Sequence, residues 1–497
     1  MSNKIDELLN SITMYRLILY YLILLSTVAF IYSIFHLVPF EPFSLIFSIA
    51  ILLGASLLSN KIFENFFKVQ TNFESVYITA LILALIITPA KFSDLNNFIF
   101  LVLVSFIATA SKYILNIKGK HIFNPAAIAV FVTGLLFGQY ASWWIATKYM
   151  FPFLLLGILI VRKIRRYDLV FYFFVTSLIG TLFLSFLRGN LDILKILKLT
   201  FLDSPILFFA FVMLTEPLTT PPTSFLQSLY GGLTGILFAP IHIGFFYTTP
   251  EIALSLSNIF SYVVSPKQKL TLTLKEKLKL TPDIYDFIFT SKEKLTFKAG
   301  QYLEWTLSQK QVDSRGNRRY FTVASSPTEE GIRIGVKFPE NESSSFKKEM
   351  LDMKIGKQIV ASGLSGDFTL PKGITKKLVF IAGGIGVTPY RSIIKHLVDT
   401  NEKRDIILLY SDKDEKQFVY KDIFNEAIKK FGIKTIYYET EKQGHINADF
   451  IKKEIPDFKE RMFYISGSHG MVTGFENTLK ESGIHEKQIK IDYFPGF

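Results

Sequence analysis

The string Gly383-Gly384-Ile385-Gly386-Val387-Thr388-Pro389 follows an apolar run, Leu378–Ala382. Glycines let a dinucleotide pyrophosphate approach the backbone, and a following helix offers its N-terminal amides to the anion. Taken alone, the string fits a tight strand–helix turn equally well. Upstream, Arg319-Tyr320-Phe321-Thr322-Val323-Ala324-Ser325-Ser326-Pro327 sets a cation, two aromatic rings and hydroxyls side by side. Arg319 could otherwise be a surface cation in the basic run 315–319, a reading that the ordered set of strings outweighs. Downstream, Ser466-Gly467-Ser468-His469-Gly470-Met471 puts a hydroxyl after a second apolar run. In the apolar first half, polar clusters stand out: Thr71-Asn72-Phe73-Glu74-Ser75, Asn124-Pro125-Ala126-Ala127 and Thr215-Glu216-Pro217-Leu218-Thr219-Thr220-Pro221-Pro222-Thr223. Proline frees backbone polar groups, which survive at membrane depth only against protein, water or ligand. These clusters read either as caps of interfacial turns or as a polar pocket made of broken helices.

The elements that must hold these groups fall into two kinds. The chain has 497 residues, so two or more domains are expected. Its 49 phenylalanines and 49% hydrophobic residues are concentrated before about Ser265. A bilayer span needs about 20 apolar residues. By that measure spans are expected near Met14–Leu37, Phe43–Ser59, Val76–Pro89, Phe98–Leu115 and Phe123–Phe137. Others fall near Met150–Val161, Leu169–Leu187, Phe201–Leu214, Phe225–Phe246 and Glu251–Val264. That is about ten spans, several of them short enough to be half-helices. The run Arg162-Lys163-Ile164-Arg165-Arg166, with Lys61, Lys68, Lys118 and Lys120, marks the even-numbered loops as cytoplasmic. Arg188, Lys195 and Lys198 in the seventh-to-eighth connection work against this. An even count makes an integral membrane protein with both termini in the cytoplasm. Residues Met1–Thr13 lack the pattern of a cleaved secretory signal. The net charge of +13 then points to lipid headgroups rather than nucleic acid.

From Leu270 the periodicity changes to that of strands. Short strands are expected at Leu270–Leu274, Ile284–Phe289, Tyr302–Leu307, Phe321–Ala324, Ile332–Phe338 and Gln358–Ser362, forming a small antiparallel barrel. Parallel strands with crossover helices are expected at Leu378–Ala382, Ile406–Tyr410, Thr435–Tyr438, Met462–Ile465 and Ile489–Ile491. The fold class is a polytopic α-helical membrane domain plus an α/β module made of an antiparallel β-barrel and a parallel sheet. The domains are residues 1–265 (membrane), 266–372 (antiparallel β-barrel) and 373–497 (parallel sheet). Cysteine is absent, so no thiolate can hold an iron–sulfur cluster or zinc. No metal site is expected.

The C-terminal strings resemble the flavin and nucleotide signatures of the ferredoxin–NADP reductase superfamily. The resemblance implies FAD and NAD(P)H. Arg319 would neutralise a flavin phosphate, with Tyr320 beside it. Phe321 would pack on the isoalloxazine, and Thr322 would hydrogen-bond near N5. Ser344 and Ser345, in the string Ser343–Ser345, would bind the flavin phosphates. Gly383, Gly384, Gly386, Thr388 and Pro389 would hold the nucleotide in an NAD(P)-binding domain, residues 373–497, and Lys337 would contact a cofactor from a flavin-binding domain, residues 266–372, of the α/β reductase module. Ser466, Gly467 and Met471 match the family's Cys-Gly-Pro-x-x-Met, with serine in place of cysteine and of proline. Phe497, in the tail Asp492–Phe497, would cover the flavin face, or end the chain as an ordinary apolar terminus. Thr440, Lys442 and His445 lie where an adenosine 2′-phosphate would be read, but no clear arginine reads it there, so NADH and NADPH stay undistinguished.

The first half resembles the flavin-carrying membrane subunits of two redox pumps, the sodium-pumping NADH:quinone reductase and the Rnf complex. Thr79-Ala80-Leu81-Ile82, Asn124–Ala127, Thr215–Thr223 and Leu229-Tyr230-Gly231-Gly232 carry the likeness. Glu216 stands where that family usually has Asp. The resemblance implies a second flavin, FMN or riboflavin, among Asn124, Pro125, Thr215, Glu216, Thr219, Thr220 and Thr223. The family's Ser-Gly-Ala-Thr flavin-attachment string is absent. Its nearest counterpart is Ser142-Trp143-Trp144-Ile145-Ala146-Thr147, where only Ala146 and Thr147 match, so attachment at Thr147 and noncovalent binding both stay open. Ferric reductases and NADPH oxidases also join membrane helices to such a module, but need haem on paired histidines. Only His36, His121 and His242 lie near membrane, on separate elements, so no haem is expected. The function implied is a membrane flavoprotein passing electrons from NAD(P)H through FAD (with Thr322 and Ser466 at the reacting atoms) to a membrane flavin. From there they pass to a quinone or extracytosolic acceptor. Ion coupling, oligomerisation and further redox partners stay open. A membrane transporter with a nucleotide-sensing flavin domain is the alternative.

Overall fold

The computed structural model describes residues 5–494 except 7, 10–11, 68–72, 118–119, 244–245, 267–268, 308–312, 314–315 and 339–343. Phe497, Ser343, Thr71 and Asn72 lie outside the described residues. The chain divides into two compact units, Met1–Lys267 and Gln268–Phe497.

The first unit is helical. In chain order α1 is Met14–Ile34, α2 Pro42–Phe67, α3 Phe73–Ile86, α4 Leu95–Ile114, α5 Pro125–Phe137, α6 Phe151–Leu155 and α7 Ile158–Ile164. Then come α8 Tyr167–Leu187, α9 Ile193–Leu202, α10 Ser224–Phe238 and α11 Pro250–Val264. Among the described residues, four helices are long and apolar enough to cross a membrane: α1, α2, α4 and α8. A fifth would be α9 joined to Ile206–Met213 across a 55° bend. The remaining expected spans fall on helices too short to cross alone, such as α3 with 14 residues and α5 with 13.

Local chemistry sets those lengths. Asn124 caps α5 by accepting from the amides of Ala126 and Ala127, Pro125 starts the helix, and Gly138 ends it at φ 67°. The C-terminal carbonyls of α3 are taken up by a loop. Ser142 and Trp143 donate their amides to Ile86 O, and Ile145 donates to Leu85 O.

Helices α8 and α10 approach closely because α10 presents glycines. A Cβ on Gly231 would strike the Leu169 carbonyl, and one on Gly235 would strike Thr176 Oγ1 and the Phe173 carbonyl. Thr176 Oγ1 also donates to Gly232 O at 3.0 Å, across the same seam.

The second unit holds two sheets. Strands β1 Leu270–Lys279, β2 Ile284–Ser291, β3 Tyr302–Thr306, β4 Arg318–Thr322 and β5 Ile332–Lys337 precede helix α12 Ser345–Leu351 and strand β6 Gln358–Ser365. They form an antiparallel sheet in the order β4-β3-β6-β1-β2-β5. Its two edges are linked where Ala324 N–H donates to Arg333 O at 2.8 Å. The inward residues of β5, Ile332, Ile334 and Val336, join Phe287, Phe289 and Trp305 in one apolar core.

The rest alternates strands and helices: β7 Leu378–Gly383, α13 Thr388–Thr400, β8 Ile406–Asp412, α14 Lys421–Phe431, β9 Lys434–Glu439, α15 Ala448–Glu454, β10 Met462–Ser468, α16 His469–Glu481 and β11 Ile489–Phe494. These strands are all parallel, in the order β9-β8-β7-β10-β11. Strand β8 is buried along its whole length, as expected when helices cover both faces. The order reverses between β7 and β10, and the glycine string sits at that switch point.

Substituting Gly235→Val should force α8 and α10 apart and destabilise the first unit by about 1–3 kcal/mol. Gly232→Ala is the control, because its Cβ would meet only Thr176 Cγ2, at 3.8 Å. Thermal melts of detergent-solubilised protein should fall for the first and hold or rise for the second. Equal melts would refute the close-packing argument.

Candidate functional site

The glycine string is shaped by what it touches. Gly386 packs so closely on the backbone of Ser466 and Gly467 that a Cβ would collide with it. Gly383 similarly abuts the Met471 thioether. Gly384 sits at φ +54°. Residues Gly384–Val387 make one tight helical turn that leads into α13, with Pro389 in its first turn. No side chain caps the start of α13; the Thr388 amide is taken by Ile385 O, and Pro389 has none to offer. Thr388 is buried and donates back to Ile385 O at 3.1 Å.

Arg319 lies on β4, 5% exposed, and is not the surface cation that its basic neighbourhood permits. Its guanidinium lies over the Phe346 ring at 5.2 Å and donates to Arg318 O at 2.6 Å. Phe321 packs on the same ring at 6.0 Å. Tyr320 points outward, half exposed, and donates to Glu304 at 2.7 Å. Thr322 is buried, and its Oγ1 has no hydrogen-bond partner among the described residues. The same is true of Ser466 Oγ at the end of β10. Buried hydroxyls are rarely left unpaired, so both fit groups that meet a bound ligand. Ser344 caps α12 by accepting from Lys347 N. The Ser345 amide donates to the Asp313 carboxylate at 2.8 Å, so a side-chain anion already occupies the place assigned to a phosphate. Lys337 pairs with Asp283 at 3.3 Å.

Sequence reading missed what joins the two sheets. Asp286 on β2 is fully buried and accepts from Arg333 at 2.6 Å and from the Tyr420 hydroxyl at 2.5 Å. Burial raises its carboxyl above the usual range, and Tyr420 and Arg333 oppose that rise. Arg391 on α13 grips Glu329 through two bonds of 2.8 and 2.9 Å and donates to Ala324 O at 2.7 Å. Burial pushes Glu329 up, but Arg391 pulls its carboxyl below the ordinary value. Ser392 donates to Ser325 O at 2.7 Å. The end of the Arg319–Pro327 string is thereby fastened to the helix that follows the glycine string. Asp492 was also passed over as an acid. It pairs in register with Ser466, and burial lifts its carboxyl to about 7.

In the first unit the structure brings most of the expected residues together. Glu216 accepts from Asn124 Nδ2 at 2.9 Å and from Thr219 Oγ1 at 3.1 Å. The Asn124 amide donates to Asn258 at 2.9 Å, and Asn258 donates to the Tyr230 hydroxyl at 2.7 Å. Arg166 donates to Thr215 O at 3.2 Å and to Thr220 Oγ1. Asn258 and Arg166 had no place in the expected site: a single polar residue on an apolar helix carries no motif, and Arg166 was read with its basic run as a topology signal. Thr223 begins α10 without making a capping bond. Thr147 stands apart, in the loop beyond the far end of α5 from Asn124, with its buried hydroxyl unpartnered among the described residues.

Two outcomes follow. Arg333→Ala leaves Asp286 without its cation and should destabilise the second unit by about 3–5 kcal/mol, read by thermal melting. An unchanged melt would show that the cluster adds nothing. For Asp492 the folded pKa lies above the unfolded one, so its contribution is intact at low pH. Stability should fall as pH rises from about 4 towards about 7. Asp492→Asn should remove that fall, measured as the difference in melting temperature between the two proteins across this range.

The oxidoreductase NAD-binding domain family matches residues 380–477. The flavohemoprotein of Oceanobacillus iheyensis is 25% identical over 234 residues, 44% of this chain and 57% of its own. That of Bacillus subtilis is 29% identical over 217 residues, 41% of this chain and 53% of its own. The chain thus spans about half the length of the curated relatives it matches. Among solved structures, the flavohem-like FAD/NAD-binding domain of the Vibrio cholerae nitric oxide dioxygenase is 19% identical. It covers 45% of this chain and 98% of its own, at a TM-score of 0.40. Within the second unit, residues 380–477 thus resemble the oxidoreductase NAD-binding domain family, and the chain is similar to part of the flavohemoproteins, in keeping with an NAD(P)H-dependent flavin oxidoreductase.

Proposed function

We propose that the chain is a membrane flavoprotein oxidoreductase. It takes electrons from cytoplasmic NAD(P)H through FAD in the second unit to a flavin in the first, then to a quinone or extracytosolic acceptor. The observation that carries the reading is one connected constellation. The uncapped start of α13, behind the glycine string, is fastened to the Arg319–Pro327 string that carries a buried, unpartnered Thr322 hydroxyl. Flavins supply the link between two-electron and one-electron transfer.

In this reading Arg319 neutralises a flavin phosphate, Phe321 lies against the ring system and Thr322 offers its hydroxyl near N5. Binding of a phosphate at Ser345 requires the Asp313 carboxylate to yield the amide. Gly383, Gly384, Gly386, Thr388 and Pro389 hold the nucleotide, and Lys337 contacts a cofactor. Ser466, Gly467 and Met471 flank the nicotinamide, and Asp492 can hold a proton at neutral pH. In the first unit Asn124, Pro125, Thr215, Glu216, Thr219, Thr220 and Thr223 hold FMN or riboflavin without a covalent bond. Four long apolar helices and the basic run at Arg162–Arg166 support membrane insertion with cytoplasmic termini.

Detergent-purified protein should contain two flavins per chain by mass spectrometry, and anaerobic addition of reduced nucleotide should bleach both. Colourless folded protein would overturn the proposal, and a single flavin would favour the transporter alternative. Thr219→Ala combined with Thr220→Ala should keep reduction of a soluble dye while losing reduction of a quinone. Loss of both activities, or of neither, would refute the route through the first unit.

A further inference from the structure

We infer that Asp412, with Glu439 beside it, reads the free 2′-hydroxyl of an adenosine ribose, so that the nucleotide is NADH in preference to NADPH. The inference rests on the reading of the second unit as a nucleotide-binding reductase. In a sheet of this order the pyrophosphate lies at the turn after the first strand, and an acid ending the second strand hydrogen-bonds the ribose. Here the first strand is β7 and the second is β8, which ends at Asp412.

Asp412 is 7% exposed. Its Oδ1 accepts from the Lys413 amide at 2.9 Å, and its Oδ2 has no hydrogen-bond partner among the described residues. That oxygen is directed towards the glycine turn, 3.8 Å from where a Cβ on Gly384 would stand. Glu439 is the register partner of Asp412 on β9 and holds Lys442 at 2.8 Å. The loops after β8 and β9 add Asp414, Glu415 and Glu441, against Lys413 and Lys416. A phosphate on the ribose is usually recognised by an arginine fork. Between Arg404 and Arg461 the chain contains no arginine. A carboxylate with an unused acceptor welcomes a hydroxyl donor, whereas a phosphate there would meet like charge.

The test uses full-length protein in detergent and two measurements. The first is equilibrium binding of AMP against 2′-phospho-AMP, which needs no redox chemistry. The second is kcat/KM for dye reduction by NADH against NADPH. Both ratios should favour the nucleotide lacking the 2′-phosphate by at least about tenfold. Asp412→Asn and, separately, the more exposed Glu439→Lys should each move the ratios towards the phosphorylated partner by about tenfold. Tighter or equal binding of 2′-phospho-AMP, or ratios that neither variant moves, would overturn the inference. If AMP is preferred but neither reduced nucleotide drives dye reduction, the specificity stands and the reductase reading falls. If NADPH is the better substrate, the reductase reading stands and the specificity falls. If neither fragment binds, both fall.

Discussion

The Asp286 carboxylate is the constraint on which the second unit depends. A charge withdrawn from water costs several kcal/mol unless it is paired and hydrogen-bonded. Both of its oxygens are satisfied, one by Arg333 of the neighbouring strand and one by Tyr420, which stands at the N-cap of helix α14 beside the parallel sheet. Tyr420 adopts a left-handed backbone at φ 61°, an unfavourable conformation for a bulky residue. The fold accepts that strain because the alternative is a buried, half-satisfied carboxylate. Arg391 lies over the Tyr420 ring at 5.4 Å, which ties the second clamp to the first. The antiparallel sheet and the parallel sheet are thereby held in one register, and the strings that carry Thr322 and Gly386 are positioned by ionic geometry rather than by apolar contact alone.

The first unit obeys the same rule around Asn124. Asn124 uses its side-chain oxygen to cap α5, its side-chain nitrogen to bind Glu216 and its backbone amide to bind Asn258. One residue thus joins α5, the Thr215–Thr223 segment and α11. A hydrophobic replacement would keep the amide bond to Asn258 but strand Glu216 and the Ala126 and Ala127 amides in a low-dielectric interior. Such networks are sensitive to any member, which is why their positions read as function.

Much of this was legible in the sequence, and the failures have physical causes. Alternating residues such as Ile332, Ile334 and Val336 marked β5, and the apolar run Leu378–Ala382 marked β7, because period and burial go together. All eleven strands expected appear in the second unit within a few residues of their expected ends. The glycine string was legible because close backbone approach tolerates only glycine. Helix lengths in the first unit were less so: hydropathy reports apolar stretches but not where a cap such as Asn124 or a carbonyl-filling loop such as Ser142–Ile145 stops a helix. The clamp was invisible for another reason. Asp286, Arg333, Arg391 and Tyr420 come from four distant segments, and nothing in their local sequence distinguishes them from surface charges. Ser345 was expected to face a phosphate, and only the folded chain reveals that Asp313 already sits on its amide.

The hydroxyl of Ser466 has a consequence for chemical durability. In the proposed reading a reduced flavin lies near this position, where oxygen would turn it to peroxide and a thiol would be open to stepwise oxidation through sulfenic to sulfinic acid. Serine cannot enter that series, and the chain has no cysteine elsewhere that could. The oxidisable sulfur that remains beside the glycine string is the thioether of Met471, packed on Gly383 and Gly467. Its sulfoxide is bulkier and polar, and would press on the turn where only glycine fits. Oxidative wear at this centre is thereby moved from a group that would react to one that would obstruct, and methionine sulfoxide, unlike a sulfinic acid, is readily returned to its starting state by dedicated reductases.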